Sequence, residues 1–194
     1  MKATKLTGAD FLLILLYLNE MEPIKGAVRL TKMMFLFNKE IVPLLKAKQP
    51  LLEIDILPDF IAYNYGPFSK DVYEQISLFQ NINFIKVDNL KASEEMGEVD
   101  DWEEPLSRDD FFEVADQYDQ QVDGKYMEYS LGAAGKQFVE SELIGNLTPE
   151  QRLLLEKFKK RITTMSIKNI LQYVYLKYPE MTENSLIKDE VLNK

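Results

Sequence analysis

Tyr63-Asn64-Tyr65-Gly66-Pro67-Phe68-Ser69, followed by Lys70 to Gln80, is the stretch on which the fold turns. Gly66-Pro67 breaks the backbone, and Ser69 is a good N-cap for a new helix. In the helix predicted over Lys70–Gln80, Val72, Ile76 and Phe79 recur at i, i+4 and i+7 and form one buried face. Tyr63, Tyr65 and Phe68 crowd the turn. Rings of this size either pack beneath it or form an exposed aromatic binding surface, and both readings stay open at this point.

Upstream, Thr7-Gly8-Ala9-Asp10 reads as a capping box opening a helix to about Glu20, which Met21-Glu22-Pro23 ends. A second helix is predicted from Ile24 or Lys25 to Ile41, with Leu30, Met33, Met34 and Phe37 inward and Pro43 near its end. Leu52–Leu57 reads as a short strand or an extended linker. Phe60–Tyr65 has β character without a fixed period.

Downstream, Phe84–Val87 and Lys125–Leu131 are strand candidates, and Gly132-Ala133-Ala134-Gly135 leads into a short helix. Thr148-Pro149-Glu150-Gln151 is the cleanest helix start, with Thr at the N-cap, Pro at N1 and Gln at N3. Ser166 caps another helix from Ile167 to about Lys177, which Pro179 stops, and Thr182 begins a last one through Leu192.

Three helices, a strand, an insertion, a strand and further helices is the order of a winged helix. The fold class expected is therefore mainly α with a small β-hairpin. Residues 1–143 form the winged-helix-like domain, 88–124 are an acidic insertion between the wing strands, and 144–194 are a helical extension packed on that domain.

Composition narrows the chemistry. The chain has 194 residues, 46% of them apolar, enough for a sizeable core. It has no cysteine, which excludes disulfides and thiolate catalysis. It has no histidine, so the commonest general base and zinc ligand are missing and no Ser-His nucleophile can form. Eight scattered glycines make no phosphate-binding loop. The expectation is a protein that is no enzyme and binds no cofactor or metal. The apolar run Phe11–Leu18 is flanked by Asp10, Asn19 and Glu20 and is too short to span a bilayer, so it reads as a core helix. A cytoplasmic chain with no membrane contact is expected.

The net charge of −9 is not spread evenly. Residues 88–119 hold 13 acids and two bases, whereas the rest hold 19 acids and 21 bases. Within the acidic run, Asp100, Asp101, Glu103 and Glu104 lack the spacing of a calcium loop and read as a solvated, self-repelling segment. Such an arm can mimic nucleic acid or mask a basic partner. Trp102 among them either anchors that contact or pins the loop to the domain.

DNA binding is the other use of a winged helix. Lys70 and Gln75 on the helix after Ser69 are its candidate contacts, yet that helix also carries Asp71 and Glu74 and has no arginine. A second basic cluster is Lys157, Lys159, Lys160 and Arg161, of which Lys157, Lys160 and Arg161 are the nucleic-acid candidates. Its plainer reading is a helix C-terminus whose cations complement the macrodipole.

Four segments give the chain a family likeness: Ile14–Leu18 with Pro23-Ile24-Lys25-Gly26; Arg29-Leu30-Thr31-Lys32-Met33-Met34-Phe35-Leu36; Tyr65-Gly66-Pro67-Phe68-Ser69; and Tyr129-Ser130-Leu131-Gly132-Ala133-Ala134-Gly135. They resemble the YwgA-like family and, more distantly, the Panacea domain of SocA-like antitoxins. Thr31 stands where that family usually has Gln, and Gly132 where it usually has Thr. Tyr173–Glu180 is similar to the YwgA-like branch. The resemblance implies an interaction module that binds a protein partner such as a toxin, or recruits one as an adaptor, and it brings no catalytic residues. On that reading Tyr65, Phe68, Trp102, Asp100, Asp101, Glu103 and Glu104 are the candidate partner contacts.

Overall fold

Thr7 caps its helix as its sequence demands. Its side chain accepts from the Asp10 amide at 3.2 Å, and the Asp10 carboxylate accepts from the Thr7 amide at 2.7 Å. In the computed structural model, which describes residues 4–48, 52–91 and 125–192, this capping box opens α1, Gly8–Met21. Phe11 to Leu16 are all buried, so α1 is a core helix nearly all round. Ordinary helix stops at Leu18, and Asn19, Glu20 and Met21 take positive φ of 55°, 58° and 60°. Lys159, itself fully buried, donates to the carbonyls of Leu18 and Glu22 on either side of this left-handed turn.

Before α1 lies β1, Thr4–Thr7, which pairs in parallel with β3, Leu52–Asp55. The strand reading of 52–57 is thus the correct one for its first four residues. Ile24–Lys25 is not the start of a helix but strand β2. Helix α2 runs Ala27–Leu36 behind Gly26. The chain then makes a π-helical turn, Phe37–Ile41, and continues as α3, Val42–Lys48, beyond the end expected at Ile41. Pro43 is the physical reason for the widened turn. It has no amide to donate, and its ring crowds the carbonyl four residues back. The Val42 amide instead reaches back five residues, to Phe37.

Strands β4, Ile61–Tyr63, and β5, Gly66–Phe68, form a hairpin whose tip is Asn64-Tyr65. Gly66 has φ +84°, and a Cβ there would lie 2.9 Å from the Tyr175 ring. Glycine is therefore required twice over, by backbone and by space. Ser69 caps α4, Lys70–Asn81, which buries Val72, Tyr73, Ile76 and Phe79.

Strands β6, Ile85–Lys91, and β7, Lys125–Leu131, pair antiparallel from Ile85↔Leu131 to Lys91↔Lys125. The expected hairpin is present. Its first strand is longer than Phe84–Val87, so residues 88–91 belong to the ladder and not to the insertion. Residues 92–124, including Asp100, Asp101, Trp102, Glu103 and Glu104, lie outside the described residues. On its other side β7 pairs with β2, giving the order β2-β7-β6. Gly135 lets α5, Ala133–Phe138, lie against the Phe84 carbonyl, 2.2 Å from where a Cβ would stand.

A second π turn, Val139–Leu143, and a 3-10 turn, Ile144–Asn146, lead to α6, Pro149–Thr164, with the predicted capping box of Thr148 and Gln151. Helix α7 is Ile167–Lys177. The expected last helix is only α8, Lys188–Leu192; Thr182 closes a 3-10 turn instead of opening a helix. Its hydroxyl donates back to the Pro179 carbonyl, which uses up the capping group. Helix α6 packs on α1 and α2, and α7 packs on α2 and β5, so all share one hydrophobic cluster. The architecture is mainly helical with small sheets. Among the described residues no helix is long and apolar enough to cross a membrane.

Candidate functional site

The sequence motifs meet in space, but as structure. Lys32 of α2 is buried and donates to the Pro67 carbonyl at 2.9 Å, joining the Arg29–Leu36 segment to the Gly-Pro turn. Burial pushes its pKa down to about 7. Thr31 Oγ1 lies 3.0 Å from the Tyr73 hydroxyl. Arg29 donates to the carbonyls of Ile162 and Met165, capping the C-terminal end of α6. Tyr175 fills the space under Gly66 and hydrogen-bonds Ser185 at 2.8 Å.

Tyr65 and Phe68 are each 7% exposed, which corrects their reading as partner contacts. Phe68 stacks on Tyr73 at 5.6 Å, and the rings pack beneath the turn because water is the poorer neighbour for that area. Gln75 is half-buried, and its Oε1 is enclosed without a hydrogen-bond partner among the described residues, so it is not displayed for reading bases. Lys70 is exposed but lies 2.9 Å from Glu74. The outer face of α4 also shows Leu78, 57% exposed, and just beyond the helix Ile82, 45% exposed, at i and i+4. Both stand off the buried Val72–Ile76–Phe79 face, a signal visible in the sequence that attention to charge passed over.

A second feature is a groove of about 260 Å³ bounded by α2, the first π turn, α3, α6 and α7. Leu36, Ile41, Phe158, Ile162, Met165 and Ile170 supply apolar walls; Leu44 and Leu154 join them, and Lys157 and Arg161 add two cations. The basic cluster of α6 is thereby divided. Lys157 and Arg161 line the groove, Lys160 lies 3.7 Å from Glu22, and Lys159 is buried under the left-handed turn.

The groove ends on a polar knot. Glu40 Oε1 accepts from Tyr173 at 2.8 Å, Lys177 at 2.9 Å and Tyr178 at 3.0 Å. Burial works against the Glu40 charge, but these three donors outweigh it and hold its pKa below the usual carboxylate value. Hydrogen bonds from Lys177 to Tyr173 and Glu40 push the lysine pKa up in turn. The Arg161 guanidinium lies over the Tyr173 ring at 5.2 Å, so the knot also positions a groove cation. The Glu40–Tyr173 contact spans 133 residues of sequence, beyond any local pattern.

Among the described residues no group of three or more Asp, Glu, His or Cys is arranged to hold a metal ion. No protein-family profile, curated protein or solved structure matches the chain.

Proposed function

We propose that this chain is a non-catalytic, cytoplasmic protein-interaction module of winged-helix-like build, antitoxin-like or adaptor-like, that binds a protein partner and neutralises or recruits it. The observation that carries this reading is the outer face of α4. In a winged helix this element would enter the major groove, and here it shows Leu78 and Ile82 together with a lysine beside a glutamate. Base reading needs Arg, Lys, Asn or Gln toward the groove and cations toward phosphate, whereas exposed aliphatic pairs suit a protein surface. The absence of histidine and cysteine supports the non-catalytic part of the reading.

A DNA-binding regulator is the second reading, and the strand order β2-β7-β6, with β2 between α1 and α2, favours it because it is the order of a winged-helix sheet. Two measurements separate the readings. Tagged chain in an extract of the native host is expected to retain a protein that Leu78→Asp with Ile82→Asp releases. A random-sequence 30-base-pair duplex, followed by fluorescence anisotropy, is expected to bind negligibly at about 150 mM salt. Duplex binding that weakens with a log–log salt slope of about 0.9 per phosphate contact, and that α4 substitutions abolish, would replace the proposal by the DNA reading.

A further inference from the structure

We infer that the groove between α2, the first π turn, α6 and α7 is a docking site for an acidic amphipathic helix of a protein partner, one that inserts a single large apolar side chain and sets two carboxylates on Lys157 and Arg161. The inference rests on the protein-partner reading above but uses a different face of the molecule.

Charge complementarity selects the occupant. Lys157 and Arg161 are one turn apart on α6, the spacing at which two acids on a facing helix also stand. Both are exposed, and among the described residues neither has a carboxylate within ion-pair distance. The one acid in the groove, Glu40, is already met by Lys177, Tyr173 and Tyr178, so it leaves the two cations to an incoming anion. Arg161 is held over Tyr173, which reduces the conformational freedom lost on binding.

Size and surroundings favour a helix over a free small molecule. A volume of about 260 Å³ is below the usual range for a small-molecule pocket and suits one anchoring side chain. The apolar surface runs from Leu44 at the groove's rim, 47% exposed, and continues outside it at Leu153, 50% exposed and one turn before Lys157. An amphipathic helix laid in a groove uses such flanking contacts, and a short-chain acid does not.

The test uses the full chain and a 16-residue amidated peptide with Leu and Phe at i, i+4, flanked by Glu. By fluorescence anisotropy it is expected to bind with Kd near or below about 100 µM at low salt. Lys157→Glu with Arg161→Glu should weaken it at least tenfold while far-UV circular dichroism is unchanged. The same double variant should bind a peptide whose Glu residues are replaced by Lys. A variant that loses the acidic peptide without gaining the basic one overturns the charge assignment. No peptide binding, or binding that the double variant leaves intact, overturns the docking site. Octanoate protecting the groove in the absence of any peptide binding overturns it in favour of a small-molecule site. If the peptide fails while a host protein is still released by the α4 substitutions, the groove proposal falls and the protein-partner reading stands. If the peptide binds but no host protein depends on α4, it is the α4 assignment that falls.

Discussion

Among the described residues, Lys32 couples folding to pH most directly. It is buried beside the Pro67 carbonyl, and its pKa of about 7 lies well below the 10.5 of a free lysine. Below about pH 7 the folded and unfolded chains both carry the proton, and the cost of burying the charge is present in full. Between about pH 7 and 10 the unfolded chain binds more protons, so stability rises with pH, by on the order of a few kcal/mol for a shift of this size. Lys159, lowered to about 8 by burial, acts in the same direction over a narrower window. Tyr175 and Tyr178, raised to about 12 by burial, act oppositely, but only above about pH 10 where free tyrosines ionise. Urea denaturation at intervals from pH 7 to 9.5 should show rising stability in the native chain and a flatter line in Lys32→Met. Parallel lines would mean that Lys32 is hydrated. The absolute stability of the variant is a poorer readout, because it also leaves the Pro67 carbonyl without its donor.

At the scale of elements, two features depart from regular structure for local reasons. Pro43 widens the helix before it, and that widened turn is the one that carries Glu40 into its knot with α7. Hydrogen-bonded pairs of β6 and β7 follow from Phe84↔Gly132 in steps of two, so the last is Leu90↔Tyr126, and a two-residue turn closes the ladder from that pair. Replacing residues 91–125 with Asn-Gly should leave the helical circular dichroism of the rest of the chain and its cooperative unfolding in place. Loop-closure entropy favours the shorter connection, by about 0.6 kcal/mol for each halving of length. A midpoint lower by more than about 10 °C would show instead that the replaced segment contributes to the core, since about 1 kcal/mol corresponds to a few degrees in a chain of this size.

For the whole molecule, the core does not respect a division between residues 1–143 and 144–194. Leu155, Ile162, Ile170, Leu171, Val174 and Tyr175 come from α6 and α7, and all join the cluster built by α1 and α2. At about 1.5–3 kcal/mol for each large buried side chain, their loss exceeds the net stability of an ordinary domain. Residues 1–143 expressed alone should therefore fail to fold cooperatively, as read by the dispersion of their amide resonances; a dispersed spectrum would show that the first part is an independent unit. Local signals with local causes were legible along the chain: the capping boxes at Thr7 and Thr148, the Ser69 and Ser166 caps, the buried face of α4 and the antiparallel pairing of β6 with β7. The strands β1 and β2 were not, because strands of four and two residues have too few positions to show a period.

Where most helices begin, that β6 and β7 pair, and that chemistry depending on histidine or cysteine is closed to this chain can be read along the chain, since capping, periodicity and composition act over a few residues or over none. Packing between distant segments sets the place of these cations: Lys32 under the turn, Lys159 under the end of α1, Lys160 toward Glu22, and Lys157 with Arg161 in the groove. It also decided that Tyr65 and Phe68 are core and that Glu40 meets Tyr173 and Tyr178. A site of that kind exists only once distant segments are packed, because burial and charge pairing depend on neighbours in space and not on neighbours in the chain.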